Sequence, residues 1–272
     1  MIKNSLCGTG VTTQGIPVSV VMPAYNCERT IAEAVRSVQN QAYKNWKLFI
    51  IDDCSADRTI VIAQELAGSD SRITVLLNPT NQGVGRTRNR GVSEAKTEWI
   101  AFLDSDDLWK PVKLEKQINL ISENPEANIV FTGSGFIDTS GNRLDYILHV
   151  PERISRKELL KQNLISCSSV LVRKDLLLKH PMPEKGFLHE DFATWLSILD
   201  EEPYAYGIDE PLLIYRLSGH SKSGNKMKAA RMNWNTYQYC NLKSMETIYY
   251  MGCYFIRNMK KYSKLKSGKR FR

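Results

Sequence analysis

"WIAFLDSDDLWKP", Trp99–Pro111, opens as an unbroken apolar run and then sets Asp104, Asp106 and Asp107 within four residues. A short apolar run without alternation fits a strand covered on both faces, as in a parallel sheet between helical layers. Three acids at its end repel one another, and each raises the pKa of the others unless a cation is shared. Asp106 or Asp107 stands where the cap of the helix after Lys110 falls. Capping accounts for one acid or two. A divalent cation with oxygen ligands relieves the remaining conflict, so this strand end is expected to bind metal.

The same pattern extends in both directions. Val18–Met22 ("VSVVM"), Lys47–Asp53 ("KLFIIDD"), Arg72–Leu77 ("RITVLL") and "ANIVFTG" near Gly133 are further buried strands. Between them lie helical segments: one through Ile31, Ala34, Val35 and Val38, one entered at Ser55 or Asp57 as N-cap, one from Gly83 to Ala95, and an amphipathic one with Pro111 in its first turn. Such alternation predicts an α/β fold, a mostly parallel doubly wound sheet with helices on both faces and ligands at the carboxyl ends of its strands. Polar residues gather at those ends: Tyr25 and Asn26, Asp52 and Asp53, Asn78 and Asn81, and the Asp104 group. Four strands ending this way imply one shared site.

"NQGVGRTRNRG" opens the third helix. It is no dinucleotide fingerprint, because Arg88 takes the place of the third glycine. Gly83 and Gly85 still leave room at a helix N-terminus, where amides favour anions. Arg86, Arg88 and Arg90 add positive charge, although helical geometry lets only one or two face the site. Metal and arginine together suggest a diphosphate. Asp52 or Asp53 is placed to meet a base edge or a ribose hydroxyl, and the alternative is a cap for the next helix. Tyr25 is a candidate to stack on a base. Farther on, "LHEDF" puts Glu190 and Asp191 at a helix start, where the dipole favours acids. Their functional use is as general base toward an acceptor hydroxyl, with His189 a weaker candidate.

With 272 residues, 42% of them hydrophobic, the chain can bury an ample core. The first residues lack a signal peptide's apolar stretch. No run is long enough to cross a bilayer; Thr247–Ile256 is about half a span. Six cysteines without a CxxC pair are expected as free thiols of a reducing cytoplasm. The net charge of +8 lies entirely at the end. After Glu246 there is no acid, while Arg257, Lys260, Lys261, Lys264, Lys266, Lys269, Arg270 and Arg272 are basic. Such a tail suits an anionic membrane surface. Nucleic acid has only this tail in its favour and is not expected as a partner.

Five motifs in order, "VSVVMPAYN", "IIDDCSAD", "NQGVGRTRNRG", "FLDSDDLWKPVKLEKQ" and "HED", resemble glycosyltransferase family 2, the inverting nucleotide-sugar transferases of GT-A fold. The match runs from about Pro17 to Ser223 and is specific through its order. The resemblance implies that Pro23, Tyr25, Asn26, Asp53, Gly83, Arg88, Asp104 and Ser105 bind the nucleotide-sugar. It implies that Asp106, with Asp104, holds Mn²⁺ or Mg²⁺, that Asp107 is left to cap the following helix, and that Asp191 is the base beside Glu190. It also divides the chain: 1–16 a flexible leader, 17–110 the nucleotide-sugar half, 111–225 the acceptor-binding and catalytic half, and 226–272 a helical, basic, membrane-associating segment. "YRLSGHSKS" is similar to the family's loop that folds over the diphosphate, and the QxxRW of processive synthases is absent, so one sugar is expected per event.

The end of the chain is similar to tails of bacterial O-antigen, teichuronic-acid and capsule transferases. A UDP-sugar donor, a glycan or lipid-linked acceptor, and a cytoplasmic place at the inner membrane face follow as expectations. Two alternatives compete. A haloacid-dehalogenase-like phosphatase shares the DxD but places it on its first strand. A sugar-binding module that has lost catalysis would not need the Glu190–Asp191 pair.

Overall fold

The structure, a computed structural model, describes residues 15–217 and 226–267. Most of the expected leader, the greater part of the "YRLSGHSKS" loop and the last five residues lie outside the described residues.

The alternation is found as expected: β1 (Val18–Ala24), α1 (Ile31–Gln39), β2 (Trp46–Asp52), α2 (Thr59–Ser69), β3 (Ile73–Leu77), α3 (Val84–Glu94) and β4 (Trp99–Phe102). Then come β5 (Leu108–Trp109), α4 (Lys113–Glu123), β6 (Ile129–Ile137), β7 (Arg143–Leu148), β8 (Arg153–Ile154), α5 (Arg156–Lys161), β9 (Leu171–Arg173), α6 (Lys174–Lys179), α7 (Glu190–Ile198), β10 (Ala205–Arg216), α8 (Lys226–Tyr239) and α9 (Ser244–Ser267). They form a single sheet ordered β3-β2-β1-β4-β9-β6-β10-β5, with β7 paired to β6 and β8 to β10.

The parallel arrangement holds from β3 through β4. Ala24 pairs with Asp52, Asp52 with Leu77, and Val21 with Phe102, so four carboxyl ends share one edge. Chain order reverses between β1 and β4, which opens a crevice at that edge. Beyond β4 the pairing is mixed: β9 runs antiparallel to β4 and β6, while β10 runs parallel to β6. Successive residues of the central strands enter opposite layers of core. Val20 and Met22 pack with Ile31, Val35 and Leu114, whereas Val21, Ile51 and Phe102 pack with Val92, Phe192 and Trp195. A sheet covered twice needs strands that are apolar at every position, which is why these runs show no alternation.

Three local expectations are corrected. The cap of α2 is Arg58, not Ser55 or Asp57. Asp57 accepts from Thr59 N and Glu28 N, and Ser55 Oγ accepts from Asn26 N, so both side chains serve the turn before the helix. Pro111 lies outside α4, which begins at Lys113, and its carbonyl accepts from Ala42 N at 2.7 Å. Asp107 caps nothing. The two-residue β5 separates it from α4, and its Oδ1 accepts from Arg216 N at 2.9 Å.

Candidate active site

At the carboxyl edge of β1–β4 lies a cavity of about 700 Å³. Pro23, Tyr25, Asp53, Gly83, Arg88, Asp104, Ser105, Asp106, Glu190 and Asp191 all line it. Asn26 does not. It has a left-handed φ of +47°, which asparagine tolerates, and its Oδ1 accepts from Ala56 N. It shapes the turn that presents Tyr25, whose ring is half exposed at the rim.

Asp53 is buried and organises the β3–α3 loop. Its Oδ1 accepts from Asn78 Nδ2 at 2.7 Å and Gln82 N at 2.9 Å, and its Oδ2 accepts from Gly83 N at 2.8 Å. Burial opposes ionisation, but these donors and Thr87 prevail and hold the carboxyl below its usual pKa. Gly83 adopts φ +83°, a conformation that favours glycine. A Cβ at Gly85 would lie 2.7 Å from Pro183 O, so glycine lets α3 approach the loop that leads to Glu190.

Arg88 is the hinge of the site. It is 4% exposed, with Nη2 donating to Asp104 Oδ1 at 2.5 Å and Nη1 donating to Glu190 Oε1 at 3.0 Å. Burial disfavours its charge, but the flanking carboxylates outweigh it and keep the guanidinium protonated. Both terminal nitrogens are therefore engaged by acids rather than presented to a phosphate. Arg86 is exposed, near Glu184, and Arg90 donates to Leu77 O and Asn78 Oδ1. Of the three arginines, only Arg88 lines the cavity.

The three acids that follow β4 divide by environment. Asp104 is committed to Arg88. Asp106 is half-buried, and beyond its own backbone N–H no donor among the described residues reaches its carboxylate. Burial first, then the charge of Asp104, pushes it up to about 6. Asp107 is fully buried, and burial and the two neighbouring acids raise it well above the usual carboxylate range. On the far wall, half-buried Asp191 accepts from Phe192 N at 2.7 Å in the first turn of α7. Its pKa is raised by burial and then by Glu190, against the pull of Arg88 and His189.

Several supporting contacts escaped the sequence. Ser168 Oγ accepts from Asp104 N at 3.0 Å, and Ser168 O accepts from Trp109 Nε1 at 2.7 Å. Arg216, at the end of β10, donates through Nε to Asp106 O and through Nη2 to Glu33. Asn89 exchanges two hydrogen bonds with the Met182 backbone, at 2.8 and 2.9 Å. Tyr215 also lines the cavity. The small polar run "SCSS" and the arginine in "IYRL" were the available signals, and neither has a local pattern that implies its distant partner.

Comparison with known proteins bears on the family, the fold and the enzyme class. Residues 19–179 match the family described as Glycosyl transferase family 2. The chain is 39% identical over 221 residues to the putative teichuronic acid biosynthesis glycosyltransferase TuaG of Bacillus subtilis (strain 168), covering 81% of this chain and 87% of that one. It is 36% identical over 256 residues to the UDP-Glc:alpha-D-GlcNAc-diphosphoundecaprenol beta-1,3-glucosyltransferase WfgD of Escherichia coli, covering 93% and 98%. Among solved structures, S. aureus TarS 1–349 in complex with UDP-GlcNAc superposes with a TM-score of 0.68 at 18% identity, over 87% of this chain and 70% of that one. The last likeness supports the GT-A fold, and the sequence matches settle kinship and enzyme class: the chain is a glycosyltransferase and belongs to glycosyl transferase family 2.

Proposed function

We propose that the chain is an inverting, metal-assisted transferase that moves one sugar from a UDP-sugar to a hydroxyl of a glycan or lipid-linked acceptor in bacterial surface-polysaccharide synthesis. One observation carries this reading. Arg88 joins the acid-rich end of β4 to the start of α7, so donor-side acids and a candidate base face the same cavity.

The acids suit a divalent ion. Among the described residues no group of three or more His, Cys, Asp or Glu side chains is placed to hold a metal. A magnesium-type site does not require one, since one or two carboxylates commonly hold the ion and diphosphate oxygens complete its shell. Asp106 fits this arrangement: among the described residues no other residue donates to its carboxylate, and burial and Asp104 disfavour its ionisation. Asp106 and Asp104 would hold Mn²⁺ or Mg²⁺, which when bound supplies charge stabilisation to the departing diphosphate.

The chain's own groups do the rest. Tyr25 at the rim offers its ring to the base, and Asp53 holds the β3–α3 loop beside the nucleotide. Arg88 fixes Asp104 and Glu190 in register. Asp191 takes the proton of the acceptor hydroxyl, whose oxygen attacks the anomeric carbon opposite the leaving diphosphate. Its raised pKa makes it a stronger base than an ordinary aspartate, as a general base requires. Attack from that face inverts the centre, so an α-linked donor gives a β-linked product. WfgD, by its name, takes UDP-Glc and a lipid-linked acceptor and makes a β-1,3 bond. The acceptor places the enzyme at the cytoplasmic membrane face, touching it peripherally through the C-terminal segment.

Asp191→Asn tests the base. Transfer falls by about 10³-fold while UDP binding is retained, as expected for loss of a general base. Near-normal turnover in this variant would overturn the assignment.

A further inference from the structure

Outside the active site, the main set of apolar side chains left in water lies on α9. Met245, Ile248, Tyr249, Phe255, Ile256 and Met259 are each more than half exposed, and Gly252 between them is exposed as well. Steps of three and four residues keep these positions within an arc of about 120° on the helix surface. The face that attaches the helix is a different one. Thr247 is buried and accepts from Gln238 of α8 at 3.0 Å, while Tyr250 and Met251 pack on the core. The outward stripe is therefore no remnant of core packing, and a continuous exposed patch of this kind marks a contact surface.

Charge decides the partner. Beyond Glu246 the sequence holds eight basic residues and no acid, and exposed Arg257 follows directly on the stripe. A second copy laid on the same stripe would bring two such runs together with little acid to offset them. An anionic bilayer offers apolar depth and negative charge at once. We propose that α9 lies in the plane of an anionic membrane surface, with its stripe below the headgroups and the net positive charge of the sequence after Glu246 favouring that surface. This deepens the membrane-contact reading above, on which it rests, and replaces contact by the basic tail alone. It also ties the membrane to the acceptor side of the cavity. On α8, which packs against α9, Thr236 Oγ1 accepts from His189 N at 3.0 Å, and Asn235 Nδ2 donates to Phe187 O at 2.9 Å. The docked pair thus holds the segment that leads into α7, whose first turn carries Glu190 and Asp191.

Co-sedimentation of the full chain with lipid vesicles is the test. Vesicles with phosphatidylglycerol as about a third of the lipid should pull the protein down, and pure phosphatidylcholine should not. The double variant Phe255→Glu, Ile256→Glu changes exposed positions only. It should sediment at least tenfold less while keeping the wild-type melting temperature and rate of UDP-sugar hydrolysis. Wild-type protein that stays in the supernatant overturns the proposal. So does a double variant that sediments like wild type, because the basic residues alone would then suffice. If light scattering without lipid shows a dimer that the double variant dissolves, the stripe's partner is a second copy. Vesicle binding without hydrolysis of any UDP-sugar would instead sink the UDP-sugar reading and leave α9 standing.

Discussion

Two strands of this sheet end in clustered acids, and the structure treats them in opposite ways. At the end of β2, Asp53 receives hydrogen bonds from Asn78, Gln82 and Gly83, and its carboxyl sits below its usual pKa. At the end of β4, Asp106 receives none from other described residues, and its carboxyl sits near 6. In sequence the two look alike, each an apolar run closing on aspartates. The difference teaches that an acid's donors, not its place on a strand, show whether it builds the scaffold or awaits a ligand. Asp53 is already satisfied by its described neighbours, whereas the described residues leave the Asp106 carboxylate open to the cation proposed above.

Substitutions sharpen this contrast, the largest effect first. Asp106→Asn should lower transfer by on the order of 10³-fold, the cost of losing a key electrostatic contact to the leaving group. It should not lower the metal-free melting temperature, since it removes a repelled charge. Arg88→Met should cost about 3 kcal/mol of stability by leaving buried Glu190 and half-buried Asp104 without their cation, measurable by urea unfolding. Asp53→Ala should cost about 2 kcal/mol, because Asn78 and two backbone amides lose their acceptor. Mild acid should part the two acids further, and chemical unfolding followed against pH reads this out. The lowered pKa of Asp53 gives stability that is present above the unfolded aspartate value, about 4, and is lost as pH falls through the folded one. The raised pKa of Asp106 has the reverse sign: without metal its ionisation costs stability near neutrality, and the cost is relieved as pH falls through about 6.

Much of this was legible beforehand. β1–β4 were visible because a strand covered on both faces must be apolar throughout, and the cavity was visible because their ends are polar. Asp104, Asp106, Glu190 and Asp191 stood out as clustered acids for which helix capping accounts only in part. The partners were not legible. Arg88 was a candidate for the site, but its partners Asp104 and Glu190 lie 16 and 102 residues away, and no local pattern pairs it with them. Ser168 and Arg216 act on the β4 end from 64 and 110 residues away, and no periodicity records such pairings. Asp107 looked like a cap because a helix follows. The two-residue β5 that intervenes is too short to leave a pattern.

The direct test of the central claim is the binding of UDP, measured by calorimetry with and without Mn²⁺, in wild-type protein and in Asp106→Asn. The account predicts that Mn²⁺ tightens UDP binding by at least tenfold in wild type and leaves the variant unchanged. Equal tightening in both proteins, or none in either, would contradict the assignment of Asp106 as the acid that awaits a cation.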